Sequence, residues 1–382
     1  MTDAADGREL NVLTMLSALK SGGAERVQAR VIPSLADAGV STTVCTVTDR
    51  TEASIAADFA DTGAPHISLS GRRAFDPAAW LRLRRMLSSG VFDVVHAHDQ
   101  QSQIVAGYVC ATSRVPLVFS RHVVVDWVTG ARTKARAKAV ALATRIGPSH
   151  VITVSDAVAD LLIEKGYPSE RTTTVYNGID TRRFTRRRDK SSARRLLGWD
   201  LDRPVATMIS VMRPMKAFDL LFDAAVRVRT KIPDLALKIV GDGKTEQQVR
   251  RDASPLGDTV EFCGARDDIP VILEASDVVV LASRIEALPT VLIEAGAMGT
   301  PVVATRVGGV PEIVDDRRTG LVVDPEDPAA LAEAIEAVLL QPDLACRLGE
   351  SAPAHIAAKF SFEAQARATR EVFDHVRAAA VR

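Results

Sequence analysis

Twelve short apolar runs, each followed by a stretch of helical pattern, constrain this chain more than any other feature. In the first half they are NVLTML, TTVCTV, VVHAH, PLVFS, VITVS and TTVYN; in the second, VATMIS, LALKIVGD, VEFCG, DVVVLAS, PVVAT and GLVVD. Strands that alternate with helices of about ten to fifteen residues build parallel sheets covered by helices on both faces. Twelve strands suit two such sheets better than one, and 382 residues is about two to three typical domains. The expected fold class is α/β, with a parallel sheet in each half.

Formal net charge is zero, which argues against nucleic-acid partners, but the charge is unevenly spread. Residues 181–203 hold nine Lys and Arg against three Asp and Glu, most of them in TRRFTRRRDKSSARRLLGW. This polar, basic run reads as the connection between domains and sets a boundary near Arg188, giving domains 1–188 and 189–382. A solvated linker is one reading of it. A peripheral contact with anionic membrane, helped by RTKARAKAVALATR at residues 132–145, is the other. The last helical segment, SFEAQARATREVFDHVRAAA, packs on its own domain or returns to the first, and the pattern leaves both open.

The four cysteines are scattered and form no C-x-x-C pair, which fits a reducing compartment. MTDAADGRELNVLTML lacks a basic segment leading into a long apolar run, and no stretch approaches about 18 uninterrupted apolar residues. The expectation is a cytoplasmic protein, with peripheral contact at the inner face of the plasma membrane as its alternative site of work.

Open α/β sheets bind ligands beyond the carboxyl ends of their strands. There, after VATMIS, stand Arg213 and Lys216; after KIVGD, Gly241 and Gly243; after VVVLAS, a loop with Glu286. In SRIEALPTVLIEAGAMGTPVVATRVGGVPEIV, residues 283–314, a helix is expected over 289–298, with Pro289 at its first position and Gly299 just past its end. A helix start attracts anions, so Arg213, Lys216 and the N–H groups of Leu288 and Thr290 suit a diphosphate. Ionised carboxylates accept from hydroxyls, which suits Glu294 to a ribose diol and Glu286 to a sugar. An Arg and a Lys three apart also occur as a plain solvated pair. Surface charge is the bland reading of the glutamates, but their helix is too apolar for an exposed element.

In the first half, SGGAER follows the first strand, and Gly22 and Gly23 permit close backbone approach to a ligand. The dinucleotide fingerprint G-x-G-x-x-G is not there. VVHAHDQ sets His96 and His98 at a strand end, but no third ligand has a sensible spacing, so no metal is expected. His98 faces a reacting sugar or is a satisfied structural imidazole, and His122 poses the same question on the next strand.

EALPTVLIEAGAMGTPVVATRVGGVPEIV, with VYNGID, RPMKAFDLLFDA, IVGDG and SGGAER elsewhere, resembles the retaining glycosyltransferases of family 4 over essentially the whole chain. The resemblance implies a GT-B fold: two Rossmann-like domains with parallel sheets facing a central cleft, the acceptor mostly on the first and the nucleotide sugar mostly on the second. It implies that Arg213 and Lys216 bind the diphosphate, Glu294 the ribose and Glu286 the donor sugar. Ala287, Leu288, Pro289 and Thr290 match the loop whose backbone meets the phosphates, and Gly241 lies in the donor-side motif IVGDG. His98 matches a histidine at the reacting sugar, Gly22 and Gly23 the Gly-rich loop, and His122 and Asn177 are acceptor-side candidates. The implied reaction moves a hexosyl unit from a nucleoside diphosphate sugar, with UDP favoured, to an acceptor hydroxyl, with retention and without metal or other cofactor. The acceptor is a glycan, a lipid-linked precursor or a small molecule. Two positions depart from the family's pattern, which has Gly where Met212 and Ala217 stand. A non-hydrolysing epimerase would convert the donor without any acceptor, and an inactive binding protein would hold it without turnover.

Overall fold

The structure, a computed structural model, describes residues 8–20, 23–72, 76–122, 138, 142 and 149–381. Residues up to Gly178 form one compact unit together with the helix that starts at Phe362, and Ile179–Ser361 form a second. The first unit holds β1 (Leu10–Leu16), β2 (Val40–Thr46), β3 (His66–Ser68), β4 (Val94–Ala97), β5 (Leu117–Arg121), β6 (Ser149–Thr153) and β7 (Thr172–Thr174). Their order across the sheet is β3-β2-β1-β4-β5-β6-β7. The second unit holds β8 (Val205–Ile209), β9 (Ala236–Val240), β10 (Val260–Gly264), β11 (Val278–Leu281), β12 (Val302–Thr305) and β13 (Leu321–Val323), in the order β10-β9-β8-β11-β12-β13. All these pairings are parallel.

All twelve apolar runs of the sequence are strands. The pattern does not mark β3, a three-residue edge strand whose His66 and Ile67 are exposed, so no apolar run announces it. Within the first sheet, successive side chains serve opposite faces. Leu13, Met15, Val95 and Phe119 pack into one cluster, and Val12, Val94, Val118 and Ile152 into another. Buried on both sides, these strands need near-continuous apolar sequence, which is why they are legible.

The last helix, Phe362–Val381, belongs to the first unit. Its Phe373 is fully buried in the cluster with Val12, Val94 and Val118. Arg370 secures it further: one guanidinium nitrogen donates to the carbonyls of Ala38 and Gly39 at 3.1 and 2.8 Å, and the other to that of Arg8 at 3.0 Å.

The division of the chain falls at Gly178 and Ile179, ahead of the expected Arg188. The reason is that the basic run is part of the second unit rather than a connection. Ile179 N–H donates to the Phe360 carbonyl at 2.8 Å, Arg186 Nε to the Met298 carbonyl at 3.0 Å, and Arg187 N–H to Glu274 Oε1 at 2.7 Å. Residues 132–145 lie outside the described residues apart from Lys138 and Leu142. Among the described residues no helix is long and apolar enough to cross a membrane.

Replacing Phe373 by Ala removes a buried ring and is expected to cost the first unit about 3–5 kcal/mol. Hydrogen exchange should accelerate in β1, β4 and β5 while β8 and β11 keep their protection. Equal acceleration in both sheets would contradict the assignment of this helix.

Candidate active site

Each sheet reverses its strand order beside its first strand. The neighbours β8 and β11 therefore send their carboxyl-end loops to opposite sides, as do β1 and β4, and a binding crevice forms at such a switch point. Beyond β8 the chain runs extended to Arg213, makes a single tight turn over Pro214–Lys216, and enters the helix Phe218–Val228. Beyond β11 it carries Ser283, Arg284 and Glu286 into the helix Thr290–Ala297. Pro289 caps that helix in extended backbone, one residue before its expected place as the first helical residue, and Gly299 follows its end with φ +66°.

The two loops meet at a charge pair. Lys216 Nζ lies 2.5 Å from Glu286 Oε1, and Ser283 Oγ donates to the same oxygen at 2.6 Å. Ser283 is fully buried and Glu286 is 9% exposed, so the carboxylate is held in a poorly solvated position by two donors. Ser283 is fixed in turn, its carbonyl accepting from buried Thr305 Oγ1 at 2.5 Å. Arg284 ties the loops from outside. Its N–H donates to the Met215 carbonyl at 2.8 Å, and its guanidinium makes a two-pronged contact with Asp219 at 2.8 and 2.6 Å and reaches Glu326 at 2.5 Å. Those hydrogen bonds hold the Asp219 carboxyl below its usual range. Arg213 is exposed at the rim, and Glu294 is half-buried on the helix that begins at Thr290.

Two glycines are required by close backbone approach. Gly241 has φ +124°, and a Cβ there would stand 2.2 Å from the Ser210 carbonyl oxygen, so it lets the loop after β9 pack against the loop after β8. Gly308 has φ +49°, and a Cβ there would stand 1.8 Å from the Glu286 carbonyl oxygen. Gly309 N–H donates to the Ala287 carbonyl at 3.0 Å, so the loop after β12 backs the glutamate loop directly.

The two departures from the family's pattern have different structural weight. Ala217 adopts the left-handed conformation, φ 51° and ψ 52°, which suits Gly and costs an L-residue about 1–2 kcal/mol. Met212 is fully buried, and its N–H and carbonyl bond to Asp242 and Thr245 at 2.7 and 3.4 Å, so its side chain joins the interior instead of obstructing the turn.

In the first unit, β4 ends in a nest of imidazoles. His96 Nε2 pairs with Ser120 Oγ at 2.8 Å, the His96 and His98 ring centres lie 3.9 Å apart with their planes tilted by 55°, and His98 Nδ1 lies 3.4 Å from His122 Nε2. Burial holds all three below the usual imidazole range: His96 down to about 3, His122 to about 4, and His98 well below its ordinary value. They are neutral at physiological pH, able to donate and accept hydrogen bonds but not to supply charge. His98 Nε2 and His122 Nδ1 have no hydrogen-bond partner among the described residues. His122 and Asn177 share a small cavity with His96, Ser120 and Gln365, walled elsewhere by apolar side chains such as Val154 and Val175. Asp99 caps the next helix, Gln100–Cys110, and also accepts from Ser17 N–H at 2.5 Å, fixing the loop after β1. Gly23 opens the helix Gly23–Asp37, and Gly22 lies outside the described residues. Among the described residues no three His, Cys, Asp or Glu side chains are grouped to hold a metal.

The structure thus brings Lys216 and Glu286 into contact, and His98 near His122, as residues of the same local sites. Ser283, Arg284, Thr305 and Gly308 were not visible as site residues in the sequence. The paired glycines of RVGG gave the one signal that a backbone had to pass closely there.

Comparison with known proteins decides what this arrangement belongs to. Residues 21–183 match the family described as Glycosyltransferase Family 4, and residues 189–355 the one described as Glycosyl transferases group 1. A D-inositol 3-phosphate glycosyltransferase 2 of Catenulispora acidiphila is 32% identical over 321 residues, which cover 77% of this chain and 73% of that protein. The D-inositol 3-phosphate glycosyltransferase of Salinispora arenicola is 32% identical over 337 residues, 81% of this chain and 75% of its own. The chain belongs to glycosyltransferase family 4. Among solved structures, Anabaena Alr3699/HepE in complex with UDP matches with a TM-score of 0.82 at 22% identity, over 95% of this chain and 98% of that one. Sucrose-phosphate synthase from Thermosynechococcus elongatus matches with a TM-score of 0.77 at 22% identity, over 97% and 100%. The likeness to these structures is one of fold, and the fold of this glycosyltransferase is GT-B.

The imidazole nest makes this family member acid-sensitive in its first unit. Unfolding returns the three histidines to an ordinary value near 6.5, so below about that pH the unfolded chain binds more protons than the folded one. The stability they allow is complete above about pH 6.5 and is lost as pH falls toward about 4. Moving from about pH 7.5 to about pH 5 should therefore speed hydrogen exchange in β4 and β5 more than in β8 and β11. An equal response in both sheets would contradict burial of neutral imidazoles.

Proposed function

We propose that the protein transfers a hexosyl unit from a nucleoside diphosphate sugar to an acceptor hydroxyl with retention of anomeric configuration. The observation that carries this reading is the Lys216–Glu286–Ser283 cluster at the switch point of the second sheet. A lysine held against a buried carboxylate is oriented before any ligand arrives. A diphosphate entering beside Arg213 would draw the ammonium toward itself and leave Glu286 to accept from sugar hydroxyls. Glu294 takes the ribose diol, and the backbone of Ala287, Leu288, Pro289 and Thr290 meets the phosphates at the start of the helix. Arg213, Lys216 and those N–H groups stabilise the leaving diphosphate, in keeping with a family that needs no metal.

No enzyme carboxylate is assigned as nucleophile. A diphosphate oxygen takes the proton of the incoming hydroxyl on the face that the leaving group vacates, which accounts for retention. His98 serves the reacting sugar as a neutral hydrogen-bonding group, and Gly22, Gly23, His122 and Asn177 serve the acceptor side. UDP is the favoured nucleotide because the fold is that of a protein solved with UDP and UDP-glucose. A glycan or glycolipid precursor is the proposed acceptor class. The relatives named for inositol phosphate put a polyol phosphate first in the screen. We place the reaction in the cytoplasm.

Lys216→Ala should lower turnover with the cognate donor about 10²–10³-fold. Its stability should fall by no more than about 3–5 kcal/mol, the cost of leaving a buried carboxylate without its cation. Full activity in a folded Lys216→Ala protein would refute the assignment, and conversion of donor sugar without any acceptor would refute transfer.

A further inference from the structure

We infer that the arginine run of residues 182–188 forms a second anion site, built to take a phosphate ester and sharing none of its lining with Arg213, Lys216 or Glu286. Five of these seven residues are arginine, yet they do not behave alike. Arg186 belongs to the fold, donating to the Met298 carbonyl at 3.0 Å and to Thr300 Oγ1 at 3.3 Å. The other four, Arg182, Arg183, Arg187 and Arg188, line a concavity of about 360 Å³ beside the helix Ile269–Ala275.

Two carboxylates also line it, and both are turned to organising the run. Glu274 is 1% exposed, and its Oε1 accepts from the N–H groups of Arg187 and Arg188 at 2.7 and 3.2 Å. Its Oε2 accepts from the Arg188 guanidinium at 3.3 Å. Asp180 Oδ1 accepts from the N–H groups of Arg182 and Arg183 at 3.0 and 3.3 Å. The acids therefore fix the backbone from which the guanidinium groups project. Arg183 and Arg187 each place one further nitrogen on a carbonyl, of Asp267 at 3.0 Å and of Arg182 at 3.2 Å, which limits their swing. A guanidinium has five N–H donors, so each keeps donors for a ligand.

Arg182 is exposed, its Nε 3.8 Å from Asp180 Oδ1. Four guanidinium groups gathered around one hollow with two carboxylates leave an excess of positive charge, which a bound anion relieves. Planar forks of this kind match phosphate oxygens two at a time. A plain solvated linker would need neither the hollow nor a buried glutamate anchoring the run from the helix before β11. The ligand chemistry is a phosphate ester, and its source is either a phospholipid headgroup or a free small-molecule phosphate.

The test uses the full chain and the variant Arg182→Gln/Arg183→Gln/Arg187→Gln, which spares Arg186 and the Arg188–Glu274 pair. Sedimentation with phosphatidylglycerol vesicles, against phosphatidylcholine vesicles, reads the lipid source. Calorimetric titration with glycerol 3-phosphate reads the free one. Binding in either arm that weakens about tenfold or more in the variant supports the site and names its source. Equal binding by both proteins in both arms, or no binding by the natural chain in either, overturns it. Unchanged hydrogen exchange in β8 and β11 of the variant confirms that a loss is local and not unfolding.

Discussion

A parallel strand can be reached only by recrossing the length of the sheet, so every strand of a parallel sheet begins at one edge and ends at the other. Both sheets of this chain obey that constraint throughout, and both reverse their order beside the first strand. The consequence is spatial. Loops that are distant in sequence, after β8, β9, β11 and β12, leave the second sheet at a single edge, and two of them diverge to open a crevice. Nothing in the local sequence of these loops would bring Lys216 to Glu286 across seventy residues; the topology does so.

Once the loops are adjacent, electrostatics and close packing make them specific. A buried carboxylate is costly unless it is paired and hydrogen-bonded, and Glu286 has both a lysine and a serine on one oxygen. The surrounding backbone is packed to contact, with Gly308 against the Glu286 carbonyl and Gly241 against that of Ser210. Arg284 then bridges from the glutamate loop to Met215 of the lysine loop and Asp219 in the first turn of the helix that follows it. The pair is accordingly a fixed arrangement with a partner for each charge, one that a ligand can exchange into without reorganising the loops. Ala217 shows that this geometry is imposed, because the turn holds a left-handed conformation even where no glycine is available.

How much of this was legible follows from where each signal resides. Strands buried on both faces carry their own announcement, and twelve of the thirteen strands among the described residues could be read from apolar runs. The exception, β3, lies at an edge with exposed side chains and so has no such run. The residues proposed for the donor side could be named because they follow strands and match a family's motif. Ser283, Arg284 and Thr305 could not, because their roles consist of contacts to carbonyls and carboxylates far away in the chain. The compact units divide ahead of the basic run for a related reason. A basic, Ser-containing run has the composition of a linker, and the Glu274 that anchors it to the second unit lies 87 residues from Arg187. Composition reports solvation, and here long-range hydrogen bonds decided the outcome.

The switch point of the second sheet is proposed to hold a nucleoside diphosphate on Arg213, Lys216 and the start of the helix Thr290–Ala297. Thermal unfolding with UDP, GDP, TDP and ADP and their sugar conjugates, with and without a chelator, tests it most directly, since a ligand that binds only the folded state raises the midpoint. The expected result is a rise with one nucleoside diphosphate that survives the chelator and disappears in Lys216→Ala. No rise with any of them, or a rise that Lys216→Ala retains in full, would contradict it.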